Sequence, residues 1–302
     1  MKSMSLKSAV NSYDKYHGSF HDRLHIWFAA GSPRGASIND YSKIGNMAKS
    51  RNIGMTMHCA EAPNDNNLYH EHYGCSPLEF CQKANLTSNK TVLAHVVHPD
   101  PHPDFQILAE TGTTVSHNPT SNCKLGSGIS PIPDMLAAGV NVAIGTDGAP
   151  CNNTYDMIRE MHLTSIVHSG ARQKAGAIDP YTILEMATIN GARALGLEGS
   201  IGTLEVGKKA DFVVINPNSL HSTPWDATQV QQGGIDPITV VVHSCSGSDV
   251  ELVVIDGQIV VEQGQITGFD EKQLMVDARE RIASLRKRSG VSARNHTNVN
   301  FI

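Results

Sequence analysis

Apolar residues recur along this chain with two different periods. Residues 24–29, 53–58, 91–95, 113–117 and 140–147 are short runs, apolar or alternating, that predict strands. Between them lie stretches that predict helices: 6–16, 38–50 with Ser37 as N-cap, 77–84, 103–110, 132–138, 155–167 and 180–195. Strands separated by single helices imply parallel pairing through right-handed crossovers, and so an α/β fold. An open doubly wound sheet would carry a glycine-rich phosphate turn after its first strand. None is present, so a β/α barrel is the better expectation.

After residue 197 the pattern changes. Residues 201–215, 238–243, 250–255 and 258–262 read as strands, and Asp256-Gly257 is a hairpin turn. A charged helix over 271–287 and a polar, mobile tail over 289–302 are expected to follow. The reading divides the chain into 1–197, a partial hydrolase barrel; 198–268, part of a small β-sandwich; and 269–302, a helix and tail.

Composition narrows the function. The 302 residues are 40% hydrophobic, enough for a sizeable core. The formal net charge of −5 argues against nucleic acid or an anionic membrane as partner. With no apolar leader and no spanning run, a cytoplasmic protein is expected. Its six scattered cysteines form no Cys-x-x-Cys pair and read as free thiols.

Fifteen histidines are many for this length, and several close predicted strands. In a β/α barrel such strand ends converge on one mouth, where the chemistry sits. His58 opens His58-Cys59-Ala60-Glu61, His95 closes the next strand, His117-Asn118-Pro119 another, and Asp147 ends Gly145-Thr146-Asp147. Imidazole and carboxylate suit zinc or iron. His58 and Asp147 are the expected metal ligands, with Glu61, His95 and Asp147 as catalytic groups. Glu61 is placed to pass a proton to a ring nitrogen and His95 to polarise water, whose pKa a metal brings to ~7. Each residue has a plainer reading: Glu61 as a solvated strand end, Asp147 as a turn former, His95 as a core histidine. Their recurrence at successive strand ends favours the functional one. His117 is read as ordering the Asn118-Pro119 turn, His70, His72 and His98 as surface residues, and Cys59 and Cys151 as packing residues.

These motifs, with Ser116-His117-Asn118-Pro119-Thr120-Ser121-Asn122-Cys123-Lys124-Leu125, Gly145-Thr146-Asp147-Gly148-Ala149-Pro150-Cys151-Asn152-Asn153 and the run from Ile201 to Asp211, resemble the amidohydrolase superfamily. The likeness is to its branch of S-adenosylhomocysteine and methylthioadenosine deaminases and triazine hydrolases. It implies a partial (β/α) barrel, strands four to eight, with part of a composite β-sandwich. It implies one divalent metal, zinc before iron, on His58 and Asp147. It implies that Glu61, His95, Asn118 and Arg34 meet the substrate, a small aminated heterocycle, and that Asn118 and Asn122 shape the loop over the mouth. Hydroxide would attack a ring carbon and displace ammonia; a chlorohydrolase or cyclic amidase would share the same residues.

The departure from the pattern is a His-x-His pair, the family's two further metal ligands on the first barrel strand. None precedes His58, and the only such triplet, His70-Glu71-His72, falls in a stretch read as loop. The expectation is therefore a chain starting before barrel strand four, with a weakly held metal, reduced activity and an open edge that favours self-association. Identical copies would lack the same pair.

Overall fold

The computed structural model describes residues 5–290, except for the side chain of Arg34. Helix α1 (Leu6–Tyr16) is capped by Ser5, and α2 (Ser19–Asp22) is one irregular turn. There follow β1 (Phe28–Ala29), α3 (Ile38–Arg51), β2 (Met55–Cys59), α4 (Asp65–Tyr73), α5 (Pro77–Lys83), β3 (Thr91–His95), α6 (Pro101–Thr111), β4 (Thr114–His117), α7 (Pro119–Leu125), α8 (Ile132–Ala137) and β5 (Val142–Ile144). Then come α9 (Ala149–Asn152), α10 (Met157–Arg172), α11 (Pro180–Ala187) and α12 (Ile189–Leu195).

The five strands form one parallel sheet in the order β1-β2-β3-β4-β5, as the alternation of strands and helices requires. Its two faces differ. Met55, Met57, Cys59, Leu93 and Val115 are buried beneath the helices, while Thr56 and His58 are exposed and Val92, Ala94 and Ser116 half-buried. The helix-side face is the core, with Leu78, Phe80, Leu86, Leu108, Ile132, Met135, Ile183 and Met186 fully enclosed. Strand β5 is buried throughout, and α11 and α12 pack against it. Asn190 Nδ2 donates to the Val142 carbonyl at 3.1 Å, and the Asn190 carbonyl accepts from Asn141 Nδ2 at 3.1 Å.

A second, antiparallel sheet holds β6 (Phe212–Ile215), β7 (Val250–Ile255), β8 (Gln258–Glu262) and β9 (Gln265–Ile266), in that order. Its β7–β8 hairpin turns at Asp256-Gly257, with φ of 52° and 75°, the left-handed pair such a turn needs. Between β6 and β7 lies α13 (Pro237–His243), and α14 (Glu271–Ser289) closes the described chain.

Several local expectations fail for physical reasons. Residues 238–243 are helix, not strand. Asp236 accepts from Thr239 N at 2.9 Å and Pro237 sits at the first helical position, so capping overrides the β-branched side chains. Residues 201–211 are bends, a turn and irregular chain, with strand beginning only at Phe212. The first predicted strand pairs only at Phe28 and Ala29. The long helix over 180–195 breaks at Thr188, where φ is −126° and ψ −94°. His70-Glu71-His72 lies on helix α4, not in a loop. Of the tail expected over 289–302, Ser289 is helical; 291–302 lie outside the described residues.

Candidate metal and active site

Strand β2 presents His58 on the less covered face of the sheet, between the buried Met57 and Cys59. In the parallel register Cys59 pairs with His95 and His58 with Ala94. Regular pleating would therefore point His95 to the Cys59 side, away from His58. The backbone prevents this: His95 has φ 75°, and Val96 after it 43°. The kink brings the imidazoles of His58 and His95 into a stack, ring centroids 5.2 Å apart and 29° between planes.

Beyond Cys59 the chain turns at Ala60, φ 47°, and Asp65 on α4 accepts from Glu61 N and Ala62 N, both at 2.9 Å. Glu61 Oε1 then lies 3.9 Å from His95 Nε2, and Asp147 Oδ2 lies 4.0 Å from the same nitrogen. Donor atoms of His58, Glu61 and His95 all lie within 4.8 Å of one another, the one such metal-capable group among the described residues. Asp147 stands beside that group, on left-handed backbone at φ 58°. Burial raises its carboxyl, but the Ser121 hydroxyl at 2.6 Å, the Gly148 N–H at 2.5 Å and the imidazoles of His95 and His58 outweigh it. The carboxyl is held below the usual carboxylate range.

Two imidazoles and two carboxylates are a donor set that suits a borderline cation such as zinc. Only His95 is fully enclosed; the Glu61 and Asp147 side chains remain 20% and 21% exposed, open to a small molecule.

Asn118 is buried against this group. Its Oδ1 accepts from Ser116 Oγ at 3.1 Å, and its Nδ2 lies 3.5 Å from His95 Nδ1. A Cβ at Gly145, the residue after β5, would come within 2.5 Å of Asn118 Oδ1 and 2.7 Å of Ser116 Oγ, so the close approach there calls for glycine. Arg34 lies in the short turn Pro33–Gly35; its side chain is outside the described residues. His117 takes no part in the group. Its ring, 1% exposed, meets His168 of α10, Nε2 to Nε2 at 3.1 Å, and burial holds it far below the usual histidine range. His70 pairs with Asp100 at 2.8 Å, and Cys59 packs with its sulfur 3.9 Å from that of Cys81.

Sequence reasoning missed Ser121 and Glu160 as supports, and read Asn122 only as shaping the loop over the mouth. Ser121 holds Asp147, and Asn122 Oδ1 lies 2.8 Å from His95 Nδ1. Glu160, fully buried on α10, accepts from Asn152 Nδ2 at 2.8 Å and Thr120 N at 3.2 Å, fastening the loops after β4 and β5. The signal for Glu160 was a lone acid among the apolar positions of its helix. Ser121 and Asn122 stood inside a motif that pointed to the site without saying what each touches.

The amidohydrolase family profile matches residues 5–260. A 5-methylthioadenosine/S-adenosylhomocysteine deaminase of Acetivibrio thermocellus is 36% identical over 279 residues, covering 91% of this chain and 62% of the relative. A 5′-deoxyadenosine deaminase of Methanothermobacter thermautotrophicus is 34% identical, covering 89% and 60%. The chain thus spans about three fifths of the length of the curated relatives it matches. Among solved structures, an adenosine deaminase of Xanthomonas campestris with bound zinc superposes with a TM-score of 0.85 at 27% identity, over 93% of this chain and 61% of the other. The zinc-bound atrazine chlorohydrolase of Arthrobacter aurescens gives 0.80 at 23% identity, over 91% and 59%, a likeness of fold. No described helix is long and apolar enough to cross a membrane.

Proposed function

The chain belongs to the amidohydrolase family, and from that premise we propose that its site serves the hydrolytic deamination of an aminated heteroaromatic ring, an adenine nucleoside before a triazine. The observation that carries this reading is the meeting of His58, Glu61, His95 and Asp147 at neighbouring strand ends. The curated relatives are named for deaminating adenine compounds, which favours the purine.

We assign the metal to His58 and Asp147, with His95 and Glu61 within reach of the same ion, and zinc as that metal. When bound, the cation supplies the positive charge that lets water ionise near neutral pH. The chain's own groups handle the protons. Asp147, kept ionised by its hydrogen bonds, takes a proton from the attacking water. Glu61 delivers a proton to the ring nitrogen beside the reacting carbon. His95 holds the water on one side, and Asn118 and Arg34 border the ring. A carbon–oxygen bond forms, the carbon–nitrogen bond breaks, ammonia leaves with the proton Asp147 received, and the hydroxyl proton of the adduct returns to Glu61 as the ring carbonyl forms. Residues 1–197 would form the hydrolase unit and 198–268 part of the sandwich, in a cytoplasmic protein.

The test is ammonia release from 5′-methylthioadenosine and S-adenosylhomocysteine by the 302-residue chain with zinc in excess. Slow release is expected, abolished by Glu61→Gln, which retains bound zinc, and by His58→Ala, which does not. Release that is absent, or equal in wild type and Glu61→Gln, sinks the proposal. A weakly active or inactive site is the second reading. It is favoured by the partial exposure of the Glu61 and Asp147 side chains, and by His70 and His72 lying on α4, with His70 engaged by Asp100.

A further inference from the structure

We propose that Asn122 is a positioning residue that fixes the tautomer of His95, placing the ring proton on Nδ1 and leaving Nε2 bare. The topology makes this reach available. Strand β4 lies between β3 and β5, and α7 begins two residues after β4 ends, so this helix stands between the two flanking strand ends. Consecutive residues on it reach in opposite directions. Ser121 Oγ donates to Asp147 Oδ2, beyond β5, at 2.6 Å. Asn122 Oδ1 meets His95 Nδ1, at the end of β3, at 2.8 Å.

An amide oxygen only accepts, so Nδ1 must donate to it. The opposite amide orientation would set Asn122 Nδ2 against Nδ1, where Asn118 Nδ2 already points from 3.5 Å. Only one of the two contacts to Nδ1 can be a hydrogen bond, and the Asn122 oxygen at 2.8 Å is the short one, while the Asn118 amide at 3.5 Å stands at the limit of such a bond. Asn118 does not supply the acceptor instead, because it turns Nδ2 toward the ring and its Oδ1 toward the Ser116 hydroxyl, 3.1 Å away. Asn122 is 1% exposed and His95 likewise 1%, so no bulk water competes for the contact.

The consequence falls on the other ring nitrogen, the one that faces Glu61 and Asp147. A bare Nε2 accepts a hydrogen bond from water or offers a lone pair to a cation, whereas Nε2–H could only donate. The functional meaning of the inference rests on the deaminase reading; the tautomer itself does not.

The experiment is nitrogen-resolved NMR of the 302-residue chain, ¹⁵N-labelled in its histidine rings, without metal or substrate, at a pH where the imidazoles are neutral. The His95 signal is assigned by its loss in His95→Gln. The wild type should show Nδ1 protonated and Nε2 bare. Asn122→Leu, similar in size but without an acceptor, should lose that signature, and Asn122→Asp, which keeps an acceptor, should retain the Nδ1 proton. A wild-type ring protonated on Nε2, or an Asn122→Leu ring still protonated on Nδ1, overturns the proposal. If Asn122→Leu does not fold, the wild type and Asn122→Asp decide. Loss of zinc binding or ammonia release would sink the deaminase reading and leave this one standing; an Nε2–H ring would do the reverse.

Discussion

At the scale of single residues, His95 and Asp147 occupy left-handed backbone that most side chains avoid, φ 75° and 58°. Such conformations cost of order 1–3 kcal/mol each and persist where neighbouring structure over-determines them. Here Asn122 and Ser121 hold the two side chains from one helix. That His58, Glu61, His95 and Asp147 come together was legible because they sit at or just past strand ends, where the pattern of apolar runs already points to a mouth. Their supports were not legible, since the reach of α7 across β4 is a property of the sheet order. Away from the mouth, the buried His168 is pushed down to about 4 by burial and by the Arg172 guanidinium. With its folded pKa below the unfolded value of ~6.5, it contributes stability above that value that is lost as pH falls through about 4, up to about 3 kcal/mol. Asp104, pushed up to about 6 by burial, works the other way, its contribution lost as pH rises through about 6. The urea midpoint of the wild type should therefore change between pH 7 and pH 4.5 by the balance of the two. His168→Gln, which cannot charge, should be the less acid-sensitive chain. An equal acid response in both would show that His168 charges as freely folded as unfolded.

At the scale of elements, agreement was good where the sequence carried both a period and a cap. Ser37, read as an N-cap, accepts from Asp40 N at 3.3 Å and opens α3. Agreement failed where propensity and capping disagree, as at Thr239-Val240-Val241-Val242, helical despite three consecutive valines. That helix packs on α10 and α11, so tertiary burial of Val240 and Val242 adds to the cap against β propensity. Helix α4 was missed because its sequence, Asp65-Asn66-Asn67-Leu68-Tyr69-His70-Glu71-His72-Tyr73, is mostly polar; Tyr69 and Asp65 are its buried residues. Caps also tie distant segments together. Asp156 Oδ1 accepts from Ile158 N at 3.0 Å and Arg159 N at 3.1 Å, opening α10, while its Oδ2 accepts from Gly247 N at 3.0 Å. Asp156→Ala removes the cap and orphans a donor 91 residues away in sequence. The expected loss is about 1–2 kcal/mol, read as a lower urea midpoint at unchanged slope. An unchanged midpoint would mean that water replaces the carboxylate at no net cost.

At the scale of the whole molecule, the five-stranded parallel sheet was readable from alternation alone, because a parallel pair needs a crossover and a predicted helix lay between each successive pair of predicted strands. How its margins are managed was not readable. On one side α11 and α12 cover β5, and Asn190 caps a β5 carbonyl. On the other, β1 is only two residues long, which blunts that edge. Between these margins lies the less covered face bearing Thr56 and His58, and its openness bears on how firmly a cation would be held. His58, Glu61, His95 and Asp147 offer a suitable donor set, but His58 is exposed and Glu61 and Asp147 are partly exposed to water. Affinity rises with the number of ligands held in place and shielded from water, and here water competes for the exposed donors. The chain as given should retain well under one zinc per molecule after exhaustive dialysis, and fill reversibly when zinc is raised. Asp147→Asn, which keeps the shape and removes the charge, should weaken that filling further. Metal analysis after dialysis, followed by a zinc titration of both chains, measures each step. One tightly held zinc per wild-type chain would show that these four side chains suffice despite their exposure, and the argument from solvent competition would fall.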